Sequence, residues 1–325
     1  MKPSVVVSTV SFSLILIIQG CSSSSNLRKF KDEDLQKEIP ADIAKRFEVK
    51  DATPTPTPES VVVTQPTRSK KKKAPKKEPK VTKQVLVPPV RTIDPMPFEV
   101  GEKLAYGIRF IGVTAGYFNT EVLPMKTVDD RKVYHLHGAA KTVKLFELVY
   151  RVNDQIDSFW DAEGLYSHKF TMDLDESKQT RKVIELYDYD NKKSFYWNRV
   201  DHVEKGFKEQ KEQYDIALWS QDPLSSLYYF RVLALPKEVG KETRFPLVLD
   251  GKPWESVVRY LGREKIYAGG RDFEADAYQL ENYQNGELKN KDNKVWLSAD
   301  VHRYVLRIEA KLKVGSFAVA LDKIL

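Results

Sequence analysis

From Leu104 onward the chain places apolar residues on alternate positions, and that period fixes the class of structure it can form. In Leu104-Ala105-Tyr106-Gly107-Ile108-Arg109-Phe110 the even positions are apolar. Similar alternation runs through residues 134–139, 183–189, 256–261 and 304–312. Side chains two apart share one face of an extended strand, so each run reads as a half-buried β-strand. Turn signals separate the runs: Asp129-Asp130, Glu163-Gly164, Asp190-Asn191, Asp250-Gly251, Gly269-Gly270 and Asn285-Gly286. Asn-Gly suits the positive backbone angles of a type I′ hairpin turn. This spacing predicts a mainly β fold, with a strongly curved antiparallel sheet closing to a barrel, half-barrel or sandwich.

One short helix is predicted near residues 222–235. Asp222 offers an N-cap and Pro223 occupies the first helical position. Leu224, Leu227, Tyr228, Val232 and Leu235 then share one face, and Pro236 stops the helix. A lone helix among strands plugs a barrel end or covers the open side of a curved sheet. The 228 residues from 98 to 325 suffice for one sizeable core.

Cys21 is the single cysteine. Before it, Lys2 supplies a positive start and residues 11–20 an apolar run ending in Gly20. The run is too short for a comfortable membrane-spanning helix but has the length of a signal-peptide core. Ile18-Gln19-Gly20-Cys21 resembles the bacterial lipobox, and Ser22-Ser23-Ser24-Ser25 gives a polar exit. Residues 1–20 are therefore expected to be a lipoprotein signal peptide, with Cys21 the lipid attachment site. Anchoring by several acyl chains is effectively permanent, since each buried methylene contributes about 0.8 kcal/mol. Ser22 in place of aspartate favours the outer membrane over inner-membrane retention, with the domain facing the periplasm.

The formal charge of +7 is unevenly spread. Residues 22–97 hold 17 Lys/Arg against 10 Asp/Glu, and residues 98–325 hold 35 against 36. A neutral domain with a basic leader is not a nucleic-acid-binding domain. The leader carries a Thr-Pro repeat at 53–58 and a basic block of Lys70, Lys71, Lys72, Lys73, Lys76 and Lys77. Such composition buries too little apolar surface to offset its ordering entropy, so residues 21–97 are expected to form a disordered tether. At about 3.1 Å per residue it would reach on the order of 200 Å when stretched. The lysine block reads either as a solvated spacer or as a contact for anionic cell-wall polymer or lipid headgroups. Within this span Leu35, Ile39, Ile43 and Phe47 fit a short amphipathic helix between residues 29 and 49, interrupted by Pro40.

Signals for chemistry are weak, and the sequence points to no catalytic residue, metal or cofactor. His135 and His137 lie two apart on a predicted strand, a spacing that can ligate a metal, but no third ligand is near in sequence. Asp154, Asp157, Asp161 and Glu163 lack the spacing of a calcium loop and read as strand-end and turn residues. Gly112-x-x-x-Gly116 reads as a bend or a close strand approach rather than a nucleotide loop. Nucleophile-elbow, zincin and phosphate-loop motifs are absent. Phe195-Tyr196-Trp197 must put at least one ring on each face of its strand, and one of them is available to line a cavity.

Several motifs recur in one order: Gly101-Glu102-x-Leu104-x-Tyr106, then Gly112-x-x-Ala115-Gly116, then Tyr150-Arg151-Val152-Asn153-Asp154 with Asp157-Ser158. Asp222-Pro223-Leu224-Ser225-Ser226-Leu227-Tyr228 follows with Arg231, then Val295-Trp296-Leu297-Ser298-x-Asp300, and Lys313-Val314-Gly315-Ser316 through Leu321. In this order the chain from residue 98 resembles an uncharacterised bacterial envelope family, number 3108 among the domains of unknown function. One departure is the missing proline shortly after Asp300, where Tyr304-Val305 stands instead. The resemblance implies an exported β-rich domain and no reaction. Together these features favour a non-catalytic, lipid-anchored envelope protein. Its β-domain is expected to bind an amphiphile or an envelope protein through a mostly apolar cavity. The alternative is a hydrolase of cell wall or lipid, which requires a polar cleft with converging titratable groups.

Overall fold

The computed structural model describes residues 27–31, 37–52, 94–110, 112–312 and 315–325. Residues 1–20, Cys21 and the lysine block at 70–77 lie outside the described residues.

The alternating runs form one 15-stranded antiparallel sheet. A first meander contains β2 (Lys103–Phe110), β3 (Val113–Val128), β4 (Arg131–Thr142), β5 (Asn153–Asp161), β6 (Ser167–Asp175), β7 (Gln179–Asp188), β8 (Lys193–His202) and β9 (Gly206–Asp215). A second contains β10 (Glu242–Val248), β11 (Pro253–Ala268), β12 (Arg271–Gln284), β13 (Glu287–Ser298), β14 (Val305–Leu312) and β15 (Gly315–Ile324). The last strand, β15, pairs with β2 and so joins the two meanders. β9 and β10 are left as edges, so the curved sheet is open: neither a closed barrel nor two packed sheets.

Four of the six expected turns have positive φ at both central residues: Asp129-Asp130, Asp250-Gly251, Gly269-Gly270 and Asn285-Gly286. These are tight hairpins whose twist matches their strands. The other two differ by position. Leu165 and Lys192 take the positive φ rather than Gly164 and Asn191. In both, an aspartate side chain sets the turn: Asp161 accepts from the Gly164 amide, and Asp188 from the Asn191 amide.

The helix α3 (Pro223–Val232) lies across one end of the concave face, after the short α2 (Lys144–Glu147) between β4 and β5. Asp222 caps α3 with Oδ1, which accepts from the Leu224 and Ser225 amides at 2.8 and 2.7 Å. Its Oδ2 accepts from Ser158 and Ser167 at 2.5 and 2.7 Å, which fastens the cap to β5 and β6. The expected single apolar face is too simple. Leu224, Ser225, Tyr228, Tyr229, Phe230, Arg231 and Val232 are all buried, because the curved sheet wraps the helix. Its Tyr229 and Phe230 rings meet Trp160 and Tyr278 edge-on, and it shares one core with Leu136 and Tyr187. Arg231 is paired in both directions: Nη1 and Nη2 donate to Glu102 at 2.6 and 2.8 Å, and Nη2 also donates to the carbonyls of Pro97 and His302.

The open seam is laced at the same end. Gln221 pairs in parallel with Leu247, through bonds from Gln221 N to Pro246 O at 3.1 Å and from Val248 N to Gln221 O at 2.8 Å. The Ser167 amide reaches Ser220 O at 3.1 Å.

The expected continuous tether from 21 to 97 does not hold. Residues 37–52 are folded onto the convex face. They include α1 (Ala41–Arg46) and β1 (Lys50–Asp51), which pairs with β3 at Thr127 and Lys126. Ile39 and Phe47 are buried in a second cluster with Val128, Val133, Phe159, Ile184, Leu186 and Trp197. Averaged composition hid this: the few apolar residues of the segment match an outward apolar patch on the sheet. Arg46 adds bonds to Asp129 at 2.7 and 2.8 Å and an ion pair with Asp188 at 2.9 Å. Pro40 sits at the start of α1, where a proline is tolerated, and not inside it. Upstream, Thr180 donates to Arg28 O at 2.6 Å, the Arg28 amide donates to Asp201 at 3.0 Å, and Phe30 packs on Phe207.

Two outcomes follow from this packing. Phe47→Ala removes the centre of the convex cluster, a change of about 3–5 kcal/mol for a buried aromatic. Hydrogen exchange should then show loss of protection in residues 37–52 while the sheet stays protected. Glu102→Gln leaves the Arg231 charge buried and unbalanced, and should lower stability by about 3–5 kcal/mol in urea unfolding. The double change Glu102→Leu with Arg231→Leu should recover most of that loss.

Candidate functional site: an apolar cavity with a single arginine in its wall

The strands extend beyond α3, and their inward residues enclose a cavity of about 300 Å³. Even positions of β2 to β6, odd positions of β7 and odd positions of β15 supply its wall. Ile108, Phe118, Ile156, Phe170, Val183 and Val319 are representative. Phe230 of α3 forms its floor. The opposite end is a mouth ringed by the β2–β3, β6–β7, β8–β9 and β10–β11 turns and by α2.

The polar groups of the wall nearly cancel. Arg181 donates from Nε to Asn198 at 2.8 Å and from Nη2 to Tyr196 and Asp250 at 2.8 and 2.9 Å. Among the described residues its Nη1 has no hydrogen-bond partner. Burial favours the neutral form of Arg181, but Tyr196 and Asp250 outweigh it and hold the charge. Asp250 sits in the β10–β11 turn, so this pair draws the second meander against the first across the open seam. Gly251 makes the approach possible: a Cβ there would lie 2.5 Å from the Tyr196 ring.

Glu185 is pushed up to about 8 by burial, against a bond from Ser194. Asp154 is also pushed up to about 8, by burial first and then by Glu176 beside it. Glu176 is raised by burial too, although Tyr150 and Gln179 both donate to its Oε2 at 2.7 Å. At neutral pH the wall therefore carries an Arg181–Asp250 pair and protonated Glu185 and Asp154. An uncharged, mostly apolar wall suits an apolar guest and offers no activated nucleophile.

The residues singled out in the sequence fall elsewhere. His135 and His137 project from the convex side of β4, half-buried, and both bind one oxygen of Asp157, at 2.8 and 2.9 Å. Burial pushes Asp157 up, but the two imidazoles outweigh it and hold it down to about 2. His137 is raised by the same bond. His135 also stacks on Phe159 at 4.6 Å. Among the described residues no group of three or more His, Cys, Asp or Glu is arranged to hold a metal. Asp161 and Glu163 pair with Arg131, and Asp161 also binds His168 at 2.9 Å. The four acids of that stretch are thus divided between two faces and do not form a calcium loop. Gly116 is a close approach, as expected: a Cβ would lie 2.7 Å from Lys141 O. Of the three consecutive aromatics, Tyr196 lines the cavity, while Phe195 and Trp197 stack at 5.8 Å on the convex face.

Residues 104–322 match the family described as protein of unknown function DUF3108. The chain belongs to this family. Among solved structures, it is similar to a β-barrel-like protein of the DUF1849 family from Brucella abortus. That likeness has 10% identity and a TM-score of 0.41, over 69% of this chain and 97% of that one. It is also similar to a candidate exported protein with a YmcC-like fold from Bacteroides fragilis. There the identity is 9% and the TM-score 0.31, over 71% of this chain and 98% of that one. A candidate lipoprotein from Parabacteroides distasonis gives 8% identity and a TM-score of 0.30, over 70% and 96% of the two chains. No protein of curated function matches the chain.

The motifs that carried the resemblance to the DUF3108 family acquire physical roles. Glu102 and Arg231 are partners, and Asp222 caps α3. Asp300 accepts from Ser298 and from the His302 amide, which shapes the β13–β14 turn. Tyr150 and Asp154 flank Glu176 at the mouth. Arg181 was the residue that sequence reading missed. Its signal was a charge on the inward positions 181, 183, 185 and 187 of a strand otherwise read as half-buried.

The raised acids set a sign for pH dependence. Between the unfolded carboxylate range and about pH 8 the native state keeps protons that the unfolded chain has lost, so stability falls as pH rises. Asp154→Asn removes one such group. Its urea midpoint should match the wild type near pH 4 and exceed it near pH 8.

Proposed function

We propose that this chain is a non-catalytic, lipid-anchored protein of the bacterial envelope whose β-domain holds an amphiphile by its acyl part. Acylation at Cys21 after removal of residues 1–20, and residence in the outer membrane facing the periplasm, complete the reading; both rest on the sequence pattern around Cys21. The observation that carries the ligand is the apolar cavity of about 300 Å³, at the lower end of the size of ligand sites. Its walls offer dispersion contacts to methylenes, each worth about 0.8 kcal/mol on burial. The Arg181 guanidinium, in the cavity wall, supplies Nη1 as a donor for an anionic or ester headgroup.

The lysine block at Lys70, Lys71, Lys72, Lys73, Lys76 and Lys77 adds a contact for anionic cell-wall polymer within the same proposal. Against the hydrolase reading stands the separation of the His135–His137–Asp157 group from the cavity, on the other face of the sheet. Ser158, next in sequence, points inward to Asp222 at 2.5 Å.

The test is native mass spectrometry with lipid extraction on the full chain purified from the bacterial envelope. One amphiphile per protein is expected. Ala140→Trp fills part of the cavity and should displace roughly three methylenes of the guest, weakening retention about 50-fold, with the thermal midpoint little changed. A wild-type protein that carries no amphiphile overturns the reading.

A further inference from the structure

We propose that the mouth of the cavity faces the membrane that holds Cys21, and that its apolar rim dips into an anionic phospholipid surface. This inference rests on the acylation and cavity reading above. Three independent observations lead to it.

The first is where the leader meets the fold. Arg28 docks at the mouth end, between Thr180 of β7 and Asp201 of β8, and its guanidinium lies 4.8 Å over the Phe207 ring beside the β8–β9 turn. Cys21 is seven residues upstream. A chain of that length spans at most about 25 Å. The acyl chains are therefore leashed to the mouth end of the domain, rather than to the end closed by α3.

The second is an apolar rim. Leu145 is 76% exposed, Leu148 89%, Val149 57% and Val113 55%. Val143 N binds Ala115 O at 3.0 Å, which sets residues 143–149 beside the β3 end that carries Val113. These are the positions that a folded chain in water would fill with polar residues. Clustered at one rim, they form the kind of patch that marks an interaction surface.

The third is charge. Arg109, Lys141 and Lys144 flank this patch and have no ion-pair partner among the described residues. Of the nearby acids, Asp175 is engaged by Arg151 at 2.7 Å, and Glu147 stands exposed on α2. The flank is thus net basic, complementary to anionic headgroups. Apolar residues framed by basic ones are the composition of segments that lie in a bilayer interface. With the rim in the interface, a guest passes between bilayer and cavity without crossing water.

The experiment uses the full chain, in which an acylated Cys21 leaves no free thiol. Leu148→Cys at the rim and Val239→Cys at the opposite end, both exposed positions, each take one environment-sensitive nitrobenzoxadiazole label. The proteins are reconstituted in phosphatidylethanolamine–phosphatidylglycerol vesicles with nitroxide-bearing lipid. The label at 148 should shift to the blue and lose most of its emission to the nitroxide, while the label at 239 should keep the spectrum it has in water. Equal spectra at the two positions, or quenching at 239 alone, overturn the orientation. A parent protein that itself takes up label has a free Cys21 and also overturns it. Lipid extraction of the same preparations scores the cavity separately. Bound amphiphile without quenching at 148 sinks only the orientation, and quenching without amphiphile sinks only the ligand.

Discussion

A guanidinium sealed among aromatic rings dictates how this sheet can curve. Arg231 sits on the helix that the concave face wraps, where an unpaired charge would cost several kcal/mol. Its partners come from distant parts of the chain: Glu102 from the entry to the first meander, Pro97 O from the approach to it, and His302 O from the β13–β14 turn of the second. The charge is satisfied only when helix, first strand and late turn meet at one point. Asp222 does the same at the other end of the helix, with β5 and β6. Two buried polar groups, nine residues apart, thus fix the helix across the end of an open sheet whose edge strands do not pair.

Because one end is filled by that helix, the rest of the concavity stays unfilled. The strands are longer than the helix can cover, so apolar side chains beyond Phe230 face one another across space. The seam between β9 and β10 is drawn together by Gln221 at the filled end and by Arg181 and Asp250 toward the mouth. Raised acids on the wall fit the same logic: a carboxyl that keeps its proton costs little in apolar surroundings, and Glu185 and Asp154 remain neutral there.

The period-two runs made the strands legible, and Asp129-Asp130, Gly269-Gly270 and Asn285-Gly286 marked their hairpins, because both signals are local. What was not legible was relational. The helix read as amphipathic because Leu224, Tyr228 and Val232 share a face, yet Tyr229 and Phe230 on the other face are just as buried by a sheet distant in sequence. Ile39 and Phe47 were visible as a weak apolar spacing, but the patch that receives them is built from Val128, Ile184 and Trp197, on three different strands. His135 and His137 looked like the chemical pair of the chain. Their common partner Asp157 comes from the neighbouring strand, and register alone decides that it faces them.

The pairing of β1 with β3 changes what the Pro- and Lys-rich stretch can be. Lys50 and Asp51 are held on the sheet and Phe98 is buried in its core, so the chain is fastened to the same domain on both sides of the stretch from 53 to 93. Fastened at both ends, a stretch of that length can carry its lysines no more than about 70 Å from the domain. Lengthening or shortening that stretch would alter how far its lysines range, and would leave the distance between anchor and domain untouched.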